Sequence, residues 1–225
     1  MELSKVVPWG RTFKEYKKMF SLSESDLKKT ILGCGDGPAC FNAELTKIGG
    51  SVISVDPIYQ FNSELIGGRI EEVYPKIMEQ VTKNKNDYVW DTIGSVENLG
   101  KTRMEAMCKF LDDYEDGKKS GRYVNESLPT VTFENMAFEL ALCSHYLFLY
   151  SNHINQTQHI ASMKELCRVA KEVRVYPLLS LDGKKSMHLS PVMSALTDIG
   201  IDVSFHSVKY EFQKGAVEML VAKNV

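Results

Sequence analysis

Thr30-Ile31-Leu32-Gly33-Cys34-Gly35-Asp36-Gly37-Pro38 decides how this chain is read. A short apolar run enters a turn with glycine at every second position. An amphipathic stretch, 39–48, follows and stops at Gly49-Gly50. Strand, glycine-rich turn and helix in that order bring backbone close to a ligand at the carboxyl edge of a sheet. Glycine suits the turn because a side chain would restrict its dihedrals and block the approach. A dinucleotide fingerprint wants glycine at the first, third and sixth positions. Here the sixth is Pro38. The loop is Gly-x-Gly-x-Gly, which weakens a nicotinamide reading and favours a nucleoside ligand without a pyrophosphate.

The next strand, Ser51 to Val55, is rich in β-branched residues and ends at Asp56-Pro57, 23 residues after Gly33. A carboxylate at that point can accept hydrogen bonds from both hydroxyls of a ribose. A glycine turn alone is common punctuation. Joined to Asp56 it is a moderately specific signal.

Outward from these two motifs, short apolar runs alternate with longer amphipathic stretches, which argues for an α/β domain with a mainly parallel sheet. Ser21-Leu22-Ser23-Glu24 has the form of a capping box opening a short helix. Residues 62–121 break the alternation with two predicted helices, Ser63 to Lys83 and Val96 to Asp116. They read as a helical insertion packed on the rim of the sheet. Strands are expected at 122–124, 138–143 and 173–179, and helices at 158–170 and 190–199. The end, Val203 to Phe212 and Val217 to Ala222 around Gly215, alternates like an antiparallel hairpin. The whole chain, 1–225, is expected to form one domain.

Bulk properties narrow the class. The 225 residues are 44% hydrophobic and 25% charged, with a formal net charge of -2. That is an ordinary soluble composition with no global basic field for nucleic acid or an anionic membrane. The most apolar run, Met136 to Tyr150, is interrupted by Glu139, Ser144 and His145 and is too short to span a bilayer. Five cysteines with no Cys-x-x-Cys spacing, and no apolar leader, fit reduced thiols in a cytoplasmic protein. The five histidines are scattered without metal-site spacing, so no metal is expected.

The blocks Ile31 to Gly37, Val52-Ile53-Ser54-Val55-Asp56, Leu128-Pro129 with Phe133, and Phe138-Glu139-Leu140-Ala141-Leu142-Cys143-Ser144-His145 together resemble class I S-adenosylmethionine-dependent methyltransferases. The resemblance spans about 29–222, interrupted by the insertion. Val6 to Arg11 and Ser144 to Ser151 are similar to an uncharacterised bacterial subgroup. The family implies a Rossmann-like, mainly parallel seven-stranded sheet whose last strand is antiparallel, with S-adenosylmethionine as cofactor. Position by position, it implies that Gly33, Cys34, Gly35 and Gly37 line the methionine and ribose, that Asp56 holds the ribose hydroxyls, and that Pro57 and Ile58 flank the adenine. It puts Asn125, Glu126 and Ser127 near the adenine edge, and Cys143 and Ser144 with His145 under the sulfonium end. There are two departures. Ile31 stands where the family carries an acid that orients the methionine amine, and Glu139 stands where an aspartate is common.

Methyl transfer needs an aligned nucleophile, and a base only when the acceptor must lose a proton. His145 is the candidate base, since histidine titrates near neutrality; the alternative is a packed histidine. Arg174 and Tyr176 share one side of a strand by period two and are expected either to reach the cleft or to snorkel to the sheet's end. Trp9 and Arg11 either fold over the cofactor or dock the N-terminal arm. Ser-His-Tyr-Leu is not the Asn/Asp-Pro-Pro-Tyr/Phe box of base and glutamine methyltransferases, which lowers a nucleic-acid or protein-glutamine acceptor. A small-molecule acceptor is expected. Two other readings stand beside it: a methyltransferase-fold binding protein without turnover, suggested by Ile31, and a nicotinamide oxidoreductase, which Pro38 disfavours.

Overall fold

Among the described residues seven segments form strands: β1 (Thr30–Cys34), β2 (Ser51–Val55), β3 (Tyr123–Val124), β4 (Phe138–Ser144), β5 (Ala170–Tyr176), β6 (Ile201–Ser207) and β7 (Glu218–Asn224). They form one sheet in the order β3-β2-β1-β4-β5-β7-β6 in a computed structural model that describes residues 7–224. β1 pairs in parallel with β2 on one side and β4 on the other. β7 alone runs antiparallel, between β5 and β6. The sheet is therefore the Rossmann-like one that the resemblance implies. The chain winds outward from β1 in both directions, so a crevice opens at the carboxyl ends of β1 and β4.

Among the described residues six helices cover the sheet: α1 (Phe13–Met19), α2 (Phe41–Lys47), α3 (Ser63–Lys83), α4 (Val96–Lys119), α5 (Gln156–Val169) and α6 (Leu189–Thr197). Alternation along the central strands sends neighbours to opposite faces. Leu32, Cys34, Ala141 and Cys143 pack with Met163 and Leu166 of α5. Ile31, Leu140 and Leu142 pack on the other face with Tyr16 of α1 and Phe41 of α2. Among the described residues no helix is long and apolar enough to cross a membrane.

Four local readings change. Residues 62–121 do hold the two helices, but Val73, Ile77 and Val81 of α3 and Leu99 of α4 enter the face cluster. The pair also packs at the rim, where Ile66 and Ile70 of α3 and Met107, Phe110 and Tyr114 of α4 surround Tyr123 of the edge strand β3. The expected box at Ser21 is replaced by a reciprocal one at Ser23, whose hydroxyl accepts from the Asp26 amide while Asp26 accepts from the Ser23 amide. It opens a single 3-10 turn, Asp26–Lys28. The first arm of the hairpin stops at Ser207, and Tyr210 and Phe212 leave the ladder to bury their rings in the face cluster. Finally, α1 was not anticipated, although Thr12 and Glu15 form its capping box.

Candidate functional site

The turn after β1 is held from three sides. Gly35 donates its amide to the Val55 carbonyl at 3.0 Å, and the Tyr59 hydroxyl donates to the Gly37 carbonyl at 2.8 Å. Gly35 has φ +69°, and a Cβ there would lie 2.7 Å from the Tyr146 Cβ. Only glycine satisfies both the left-handed backbone and the close ring. Asp56 takes the Gly37 amide on one carboxylate oxygen and the Ile58 amide on the other, each at 2.9 Å. Burial raises its pKa against those two donors. Each oxygen keeps accepting capacity, which a diol can use.

These groups border a cavity of about 470 Å³ at the carboxyl ends of β1, β2 and β4. That volume is within the range of small-molecule and cofactor sites. Of the residues expected to bind, Cys34, Gly35, Gly37, Asp56, Pro57, Ile58, Glu126, Ser127, Ser144 and His145 line it. Gly33, Asn125 and Cys143 do not. Gly33 is covered by the Asp36 carboxylate, which a Cβ at 33 would meet at 1.9 Å. Asn125 is exposed beyond the rim. Cys143 is fully buried on the α5 face, in register with Cys34.

Asp36 was not among the expected residues. Its carboxylate accepts from the Tyr16 and Ser54 hydroxyls, both at 2.7 Å. Burial raises its pKa to about 6. It lies over Gly33, on the sheet face that Ile31 also occupies by alternation. The turn itself thus places a buried carboxylate on that face. The signal was the single acid in the glycine loop, read only as a spacer.

His145 follows β4 with φ +50°, an uncommon conformation for a residue with a side chain. Its amide donates to the Tyr176 carbonyl at 2.8 Å, and Nδ1 is 3.0 Å from the Ser144 hydroxyl. Burial, then Arg11 and Arg103, hold its pKa well below the usual histidine range. The ring is neutral at physiological pH. In the tautomer that donates from Nδ1 to Ser144, Nε2 is left to accept a proton.

The N-terminal arm completes the wall. A Cβ on Gly10 would sit 2.1 Å from the Pro38 carbonyl oxygen, so the arm lies directly on the glycine loop. Cys40 donates its amide to the Arg11 carbonyl at 3.1 Å. Trp9 and Arg11 consequently face the cavity. A second lobe, about 80 Å³, adjoins it through Trp9, Arg11, His145, Leu149 and Leu181. Tyr176 lines this lobe. Arg174 does not reach the cleft, because Phe20, Asp26 and Glu172 take its guanidinium at the far edge. His159 and His188 meet at 4.3 Å outside both lobes. No group of metal-ligating residues is found among the described residues.

An uncharacterized protein of Methanocaldococcus jannaschii, MJ0045, is 32% identical to this chain over 228 residues, covering 99% of the chain and 98% of that protein. The chain belongs to its family. That relative is archaeal, and it lends no support to the bacterial subgroup suggested by the arm. No known protein-family profile matches. Similar solved structures include a SAM-dependent methyltransferase from Aquifex aeolicus, with 15% identity and TM-score 0.46 over 95% of this chain and 89% of that one. A SAM-dependent methyltransferase from Methanosarcina mazei has 14% identity and TM-score 0.48 over 91% and 94%. The magnesium protoporphyrin IX methyltransferase of Synechocystis has 10% identity and TM-score 0.48 over 90% and 73%.

Proposed function

We propose that this protein is an S-adenosylmethionine-dependent methyltransferase acting on a small-molecule acceptor. The observation that carries the reading is the Asp56 carboxylate, fixed by the Gly37 and Ile58 amides at the edge of a cavity that the glycine loop opens. A carboxylate set between a glycine turn and a free volume suits a ribose diol, and Pro38 stands where a dinucleotide fingerprint has its last glycine.

The residues present fit this cofactor. Gly35 and Gly37 present bare backbone, Asp56 takes the ribose hydroxyls, and Pro57, Ile58, Glu126 and Ser127 border the base. Asp36 braces the loop through Tyr16 and Ser54 in place of the acid missing at Ile31. S-adenosylmethionine, when bound, supplies an electrophilic methyl group on sulfur. The chain contributes position, exclusion of water by Trp9 and Tyr146, and a neutral His145 to take a proton from the acceptor. Buried thiols at Cys34, Cys40, Cys143 and Cys167 suit a reducing cytoplasm.

The test is calorimetric titration with S-adenosylmethionine, S-adenosylhomocysteine and NAD, on the protein and on Asp56→Ala. We expect micromolar binding of both nucleosides, at least tenfold weaker in the variant, and none of NAD. Absence of nucleoside binding, or binding indifferent to Asp56→Ala, would overturn the proposal.

A further inference from the structure

The smaller lobe has a composition of its own. Its walls carry the rings of Tyr88, Tyr176, Tyr210 and Phe212. Tyr88 stacks on Phe212 at 4.7 Å, and Tyr176 meets Tyr210 edge-on at 5.9 Å. Two hydroxyls are already engaged: Tyr176 donates to the Ala216 carbonyl and Tyr210 to Glu15, at 2.8 and 2.7 Å. Ring carbon therefore dominates that wall. Flat apolar walls favour a flat ligand through offset and edge contacts.

Charge at the junction of the lobes is unbalanced. Two guanidiniums, Arg11 and Arg103, stand near one carboxylate, Glu15. Arg103 takes both oxygens of Glu15, at 2.6 and 2.7 Å. Arg11 donates only to the Trp9 carbonyl, at 2.9 Å, and has no ion-pair partner among the described residues. Its Nε is buried with no hydrogen-bond partner. His145, the other titratable group at the junction, is neutral. Arg11, half-buried where the lobes meet, thus has no carboxylate partner among the described residues; Asp36, Asp56 and Glu126 line the main cavity, and none of them lines the smaller lobe. A partly desolvated guanidinium left so favours an anionic ligand. Arginine's planar fork matches a carboxylate.

We propose that the aromatic lobe and Arg11 together bind the methyl acceptor, and that the acceptor is a small planar organic acid of the aromatic carboxylate class. Its charged oxygens rest on Arg11 at the junction and its ring enters the aromatic lobe. The lobe is smaller than the ~150 Å³ that accommodates benzene, so the ring extends back into the main cavity, within reach of His145. As an assignment of acceptor, this inference rests on the methyltransferase reading. The binding it calls for does not require the nucleoside.

The test uses the nucleoside-free protein. Benzoate, its neutral isostere benzamide, and the non-planar cyclohexanecarboxylate are compared by saturation-transfer NMR and by Trp9 and Trp90 fluorescence. We expect benzoate to bind at least tenfold more tightly than either. Arg11→Gln should erase the preference over benzamide, and Arg11→Lys should restore part of it. Thermal melts check that the variants fold, and the wild-type comparison stands without them. Equal binding of benzoate and benzamide, or a preference that survives in folded Arg11→Gln, would overturn the inference. S-adenosylhomocysteine is titrated into the wild type separately. Its failure to bind removes the cofactor reading and with it the role as acceptor, whereas nucleoside binding without acid discrimination removes the planar acid alone.

Discussion

Arg103, in the first half of α4, and Glu15, on α1, form a two-pronged ion pair 88 residues apart in sequence, with Arg103 completely buried. Burial pushes the Glu15 carboxyl up, but Arg103 and then Arg11 outweigh it and hold it below the ordinary carboxylate range. The pair also receives Thr12 and Tyr210. It ties the N-terminal helix, the paired helices and the segment after β6 into one wall of the site.

Removing Glu15 leaves Arg103 buried without its carboxylate, with Arg11 nearby. Glu15→Gln is expected to cost about 3–5 kcal/mol, a large share of the stability of an ordinary domain. Glu15→Gln with Arg103→Met removes both charges and is expected to recover most of that loss. Urea unfolding of the two singles and the double checks this, and simple additivity of the singles would refute the coupling.

Asp36 makes stability depend on pH in the direction opposite to a paired carboxylate. Its folded-state pKa is raised to about 6, above the unfolded value. Between ~3.9 and 6 the native chain holds a proton that the unfolded chain has released. This contribution is therefore fully present below ~3.9, lost as pH rises, and absent above 6. Its span is about 3 kcal/mol. His145 acts in the other sense, since its folded-state pKa is depressed, and acidification below ~6.5 favours the unfolded chain. The clean measurement is the stability difference between wild type and Asp36→Asn across pH 4 to 7. The wild type should lose about 3 kcal/mol relative to the variant over that interval. A flat difference would refute the raised carboxyl.

The neutral state of His145 has its own readout. Its ring proton resonance, assigned with His145→Gln, should show no titration near ~6.5. Because Arg11 and Arg103 both depress it, Arg11→Gln should move its midpoint upward. A midpoint at or above 6.5 in the wild type would contradict the electrostatic picture.

The parts legible in the sequence were those in which local chemistry and tertiary packing agree. β2 and α3 begin and end where β-branching, caps and apolar period place them. The glycine turn and Asp56 were readable because a left-handed backbone and a strand-end carboxylate leave residue-level marks. What escaped depended on contacts between distant segments. Asp36 stands in the glycine loop, but the hydroxyls that hold it buried over Gly33 come from Tyr16 and Ser54, 20 and 18 residues away. For Arg174 the strand pattern leaves the cleft and the sheet's end equally open, and only the distant Asp26 and Phe20, with Glu172, decide for the latter. Tyr210 and Phe212 keep strand-like alternation, yet leave the ladder because the face cluster buries their rings more completely. The Thr12–Glu15 box was visible, and it was missed for want of an apolar run long enough to suggest a helix.

Gly10 lying against Pro38 has a consequence for assembly. The site is roofed by a segment that precedes every strand of the sheet, while Tyr210, which helps anchor that segment through Glu15, follows 195 residues after it. Until the closing hairpin docks, Glu15 lacks the Tyr210 hydroxyl and the aromatic lobe lacks a side. A growing chain can thus present its glycine turn long before it presents a finished chamber, and ligand competence waits for the segment that carries Tyr210.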